Sequence, residues 1–303
     1  MENFGDLSFR KQKRHLKRLD NAWMVADLLK KHVVSMEVLE VIIERLTQLD
    51  KNMISSVIHY PLRHAIEQGN VPQVKLLVPF HTYHPHSDLL LCMRHNQFDI
   101  FEILFTHTSH DKPLLLNKVL ADVALTNNVE GVKYLIKQGG DPSHMNLLAL
   151  RGAIESKSFA IVDILIEHSD VIHYGQAALN LSARKNHLGV TQKLLEAGAP
   201  YNEDNCVALK AAIVNNNRKM IDLLLQYGPI FPDVMVDAFC DSNVNKATLE
   251  KLWNHCNIEQ LRIQSHTYTP FGLERFEALY TQHQKQLLLS NLNDNATQRS
   301  RKM

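Results

Sequence analysis

The chain has 303 residues, 45% apolar and 21% charged, a soluble globular composition that length alone lets form one domain or two. Its 33 basic and 32 acidic residues nearly cancel, so it lacks the global field that non-specific binding to nucleic acid or anionic membranes uses, and neither partner is expected. No stretch approaches the roughly eighteen consecutive apolar residues of a membrane span, and no apolar core follows the basic residues near the N-terminus, so neither a span nor a signal peptide is expected.

The four cysteines, Cys92, Cys206, Cys240 and Cys256, lie far apart and form no CxxC pair. This argues against a zinc ribbon or a thioredoxin-like site and points to a reducing, cytoplasmic compartment. The 17 histidines make the charge climb below about pH 6.5.

Residues 1–21 form a basic N-terminal segment with a run from Arg10 to Arg18. It reads as a solvated first helix, with a nuclear import signal as the alternative. Residues 22–59 read as capping helices: Val25, Leu28 and Leu29 share one spacing, and Val38, Leu39, Ile42, Ile43 and Leu46 a second, with Ser35 as N-cap. Tyr60-Pro61-Leu62-Arg63-His64-Ala65 then opens a helix with Pro61 at its first position, where a missing N–H costs nothing. Gly69-Asn70 makes a turn, and Val74, Leu76, Leu77 and Val78 face one way on a second helix.

This helix–turn–helix pattern recurs through 60–233. Its first-helix leucine falls at Leu62, Leu89, Leu120, Leu150, Leu179 and Leu209, in steps of 27 to 31 residues. The best-preserved unit is 177–202, AALNLSARKNHLGVTQKLLEAGAPYN, in which Leu179, Leu181 and Ala183 share one helix face and Val190, Leu194 and Leu195 another. Gly198 suits a left-handed helix terminus and Pro200 cannot continue the helix. From 234 to 290 the pattern fades into a degenerate seventh pair, with Ala238, Phe239, Leu249, Leu252 and Trp253. An amphipathic capping helix follows, with Leu273, Phe276, Leu279, Tyr280, His283 and Leu287 on one side. Residues 291–303 are polar and expected to be disordered.

The stretch 177–202 resembles an ankyrin repeat, whose pattern runs TPLHxAA, a turn, then VVKLLLxxGADVN. Leu179 takes the leucine of TPLH, Ser182 and Ala183 the AA pair, Val190, Leu194 and Leu195 the second-helix core, and Gly198 the terminal glycine. Asn180 stands where the family has His, and Ala177-Ala178 where it has Thr-Pro. The family period is about 33 residues, so the shorter steps here imply that the β-hairpin fingers between repeats are trimmed to tight turns. The implied fold is all-α, an α-solenoid of stacked helix–turn–helix repeats with helical caps.

Nothing in the sequence organises catalysis: GxSxG, GxxxxGK[ST] and HExxH are all absent. The one constellation suggestive of a metal is His81, His84 and His86 with His107, His110 and Asp111, read as exposed connections, and no cofactor is expected. The resemblance implies a protein–protein interaction module or scaffold, and a monomer is expected. Partner contacts are expected at the position after the AA pair, Glu67, Arg94, Leu125, Glu155, Arg184 and Val214, joined by Tyr83 and His86 on connections. Arg and aromatic side chains there are the natural energetic anchors. The alternative is an enzyme, or an effector delivered into a host cell by an intracellular bacterium, whose repeats target an activity in residues 1–59 or 234–303.

Overall fold

The computed structural model describes residues 4, 7–18, 24, 34–49, 51–80, 85–201, 206–228, 230–263 and 267–300. Among them the regular elements are helices and none is a strand. Two compact units are present, Met1–His144 with Leu148–Leu165, and Met145–Leu147 with Ile166–Met303.

In the first unit α1 (Phe9–Lys17) packs on α2 (Met36–Leu49), which packs on α3 (Lys51–Glu67). There follow α4 (Val71–Leu77), α5 (Pro85–Arg94), α6 (Phe98–His107), α7 (Lys112–Ala124) and α8 (Val129–Lys137). Then come α9 (His144–Glu155) and α10 (Phe159–His168), most of whose residues belong to this unit. Helix α3 packs on α4 and α5, α5 on α6 and α7, α7 on α8, and α4 on α6. First helices thus stack in one row and second helices in another, each pair burying its apolar face on its neighbours.

The second unit repeats this order with α11 (Val171–Tyr174), α12 (Gln176–Arg184), α13 (Leu188–Glu196), α14 (Val207–Val214), α15 (Arg218–Leu225), α16 (Pro232–Cys240), α17 (Lys246–Trp253), α18 (Ile258–Ile263) and α19 (Pro270–Ser300). Helix α12 packs on α13 and α14, α14 on α15 and α16, and α16 on α17, α18 and α19. Leu179, Ala183, Val190, Leu194 and Leu195 are buried, as their spacing requires. The hydroxyls of Ser182 and Thr191, both fully buried, satisfy each other at 2.9 Å across the α12–α13 pair. Gly198 takes φ 86° and its N–H reaches Leu195 O at 3.0 Å, closing α13.

Three features depart from the sequence pattern. Pro61 lies inside α3 rather than at a helix start. Ile54, Ile58, Leu62, Ala65 and Ile66 keep one buried stripe through the whole helix, and that burial outweighs the single backbone hydrogen bond that proline removes. The boundary expected at 59/60 therefore falls within one helix. In α9, Met145, Asn146 and Leu147 have φ of 50°, 54° and 58°, a left-handed turn ahead of the right-handed helix. Left-handed backbone costs about 1–2 kcal/mol per residue outside glycine, and the fully buried Leu147 offsets part of it.

The third departure is α19. Phe276 and Leu279 are buried, with Phe276 edge-on to Phe239 at 5.6 Å and His283 stacked on Trp253 at 5.2 Å. Leu287, expected on that buried side, is 55% exposed, because the packed length of α19 ends before it. The helix continues to Ser300, through the stretch from Asn291 where disorder is expected. Extending an existing helix adds a hydrogen bond per residue without needing a new nucleus. The N-terminal residues Trp23, Val25, Leu28 and Leu29 lie outside the described residues.

Candidate functional site

Every repeat turns from its first to its second helix through one left-handed residue: Gly69, Asn96, Asn127, Lys157, Asn186 and Asn216. Two positions earlier stand Glu67, Arg94, Leu125, Glu155, Arg184 and Val214, each ending or capping a first helix. All six are exposed. Glu67, Arg94, Leu125 and Glu155 belong to the first unit, Arg184 and Val214 to the second. Tyr83 lies outside the described residues.

His86, expected on a connection, is instead the second residue of α5, because buried Pro85 starts that helix. Its Nε2 reaches Asp122 Oδ2 on α7 at 2.9 Å, so it bridges two successive first helices. Two open pockets flank the pair. One, about 510 Å³, is bordered by His86, Leu114, Leu115, Lys118 and Asp122. The other, about 450 Å³, is bordered by Leu90, Met93, Arg94, Asp122, Thr126 and Glu130. Asp122 borders both.

The turn asparagines form a ladder that joins successive repeats within each unit. Asn128 Oδ1 accepts the Gly131 N–H at 2.8 Å as the N-cap of α8, while its Nδ2 donates to Asn96 Oδ1 at 2.9 Å in the preceding turn. In the second unit Asn217 caps α15 through the Met220 N–H at 3.2 Å and donates to Asn186. Asn216 Nδ2 donates to Asn243 O at 2.7 Å, and its Oδ1 accepts from Asn245 N at 2.8 Å and Thr248 Oγ1 at 2.9 Å. The signal was available, since Asn96, Asn127, Asn186 and Asn216 recur in phase with the first-helix leucines. Asparagine tolerates the left-handed region better than other residues with a Cβ, and its amide can still cap or donate.

The titratable groups carry no activated nucleophile among the described residues with resolved shifts. Burial, then the Asp88 charge, pushes the Cys92 thiol up; burial also raises Cys206, and it pushes Cys256 up to about 11. A reactive thiol needs the opposite shift. Burial and the Glu102 carboxylate raise Tyr134, whose hydroxyl donates to Glu102 Oε1 at 3.3 Å. Phe98 stacks on the Tyr134 ring at 4.4 Å. Among the described residues no group of three or more His, Cys, Asp or Glu is arranged for a metal, and His81 and His84 lie outside them. No described helix is long and apolar enough to cross a membrane.

The family model for ankyrin repeats (3 copies) matches residues 120–205 and 150–236. These ranges contain the helix pairs α9–α10, α12–α13 and α14–α15 with their left-handed turns at Lys157, Asn186 and Asn216. No curated protein matches the chain. Stacked helix pairs, strandless connections among the described residues and the family match agree: the chain carries ankyrin repeats over 120–236, within an all-α solenoid of a class that serves protein–protein interaction.

Proposed function

We propose that the chain is a scaffold that binds a protein partner through the exposed ends and faces of its first helices, in each unit. The observation that carries this is the common register of Glu67, Arg94, Leu125, Glu155, Arg184 and Val214, all exposed two residues before a left-handed turn. The buried positions of each repeat repeat the same apolar types, while this one position changes from acid to base to apolar. Varied side chains on a constant frame suit recognition. Arg94 and Arg184 are the anchors, since guanidinium groups concentrate interface energy. Both are exposed, so truncation leaves the core intact.

The test is the double substitution Arg94→Ala/Arg184→Ala. A captured partner loses about tenfold or more in affinity, with the thermal midpoint unchanged. Unchanged affinity removes these first-helix ends from the interface.

A further inference from the structure

We propose that α1 carries a second binding face, separate from the first-helix register, which takes the phosphate backbone of a single-stranded polynucleotide. Helix α1 is held in one orientation. Gln12 and Leu16 are buried, α1 packs on α2, and Gln12 Nε2 donates to the carbonyl of buried Phe4 at 2.9 Å. Held so, α1 turns two rows of residues spaced four apart to solvent, Phe9, Lys13 and Lys17 in one and Arg10, Arg14 and Arg18 in the other, and all six side chains are exposed.

Charge selects an anion. The five cations of these rows make no ion pair or side-chain hydrogen bond among the described residues, and α1 itself has no acidic residue. Lys11 is engaged elsewhere and is set aside. The neighbouring α2 sets Glu37, Glu40 and Glu44 against Arg45, too few to neutralise the face, and none of the three pairs with α1 among the described residues. Like charges four residues apart weaken a helix, and Arg10 in the first turn opposes its dipole. A solvated face mixes signs; this one does not. The near balance of charge over the whole chain leaves the face intact, because screening confines each charge to about 8 Å at physiological salt.

Shape narrows the anion. Each row steps about 6 Å from one side chain to the next, four residues at roughly 1.5 Å each, which suits the repeat of an extended phosphodiester chain. The guanidinium forks of the arginine row grip phosphate oxygens in pairs. The Phe9 ring, 43% exposed at the head of the lysine row, is a platform on which a base stacks. A helix that lies on a membrane needs an apolar stripe beside its cations, and the stripe of α1 is buried on α2. A helix seated in a duplex groove meets a strand on each flank, and one flank of α1 faces α2, so a single backbone is tracked.

The experiment titrates the full chain into fluorescein-labelled oligothymidylate of about twelve nucleotides, a length within the usual footprint of single-strand binding, and follows anisotropy as salt is raised. Five phosphate contacts at about 0.7 each give a slope of log affinity on log salt of about −3.5, so affinity falls roughly hundredfold over an about fourfold rise in salt. Oligouridylate of the same length binds alike, because the contacts are to phosphate. Arg14→Gln/Lys17→Gln brings the slope to about −2, and Phe9→Ala weakens binding several-fold at an unchanged slope. Arg94→Ala/Arg184→Ala changes neither affinity nor slope, which keeps this test separate from that of the first-helix register. Thermal midpoints confirm that each variant folds. No binding at about 100 µM chain in low salt, a slope untouched by Arg14→Gln/Lys17→Gln, or polyglutamate of equal charge bound as tightly overturns the proposal. A duplex of the same length bound more tightly, or phosphatidylserine vesicles that sediment the chain while the oligonucleotide does not bind, also overturns it and makes a duplex or a membrane the occupant.

Discussion

Asn128 meets two needs with one side chain, capping α8 through the Gly131 N–H and donating to Asn96 in the preceding turn. Asn128→Ala removes both bonds, and with them the one its Nδ2 donates to Met93 O at 2.5 Å, and lowers stability by about 1–2 kcal/mol, read as a shift in urea midpoint. Its neighbour Asn127 sits at φ 57°, so Asn127→Val adds left-handed strain of about 1–2 kcal/mol, whereas Asn127→Gly is tolerated. Cys256 makes a prediction of opposite kind. Burial pushes its thiol up to about 11 in the folded chain, against about 8.5 when exposed. The unfolded state therefore sheds this proton first, and stability falls as pH rises from about 8.5 toward about 11, with no effect of this group below that window. In urea titrations across that range Cys256→Ser flattens the fall, keeping a donor for the Trp253 carbonyl that the thiol reaches at 3.2 Å. An unaltered slope assigns the fall to other groups.

At the scale of elements, α19 is fastened by one cation. Arg275 donates to Phe239 O at 2.9 Å, to Asp241 O at 2.7 Å and to Val244 O, answering the carbonyls at the end of α16. Arg275→Ala costs about 2 kcal/mol and speeds proteolytic trimming of α19, while Arg275→Lys rescues little because an ammonium lacks the planar fork. Trimming at the wild-type rate in Arg275→Ala shows that the aromatic contacts of Phe276 suffice. This fastening was not legible in the sequence, since Arg275 and Phe239 are joined by a contact 36 positions apart. The His86–Asp122 bridge was hidden for the same reason. Local signals also lost where burial opposed them: Pro61 marks a helix start by propensity, yet the stripe from Ile54 to Ile66 carries α3 through it. What was legible rests on short range. Leucine phase and the exposed position before each turn follow from contacts three and four residues apart, which every repeat restates.

For the whole molecule, two units of stacked helix pairs place varied side chains at the same register of a constant frame. The family match over 120–236 covers the best-preserved repeats, and the first unit carries the same turn geometry at Gly69, Asn96 and Asn127. Affinity capture tests recognition by that register. Immobilised wild-type chain and the Arg94→Ala/Arg184→Ala variant, matched in thermal midpoint, are exposed to the same cell extract, and bound proteins are quantified by mass spectrometry. The specific partners of the wild type are depleted about tenfold or more on the variant. The same partners retained in equal amounts contradict it.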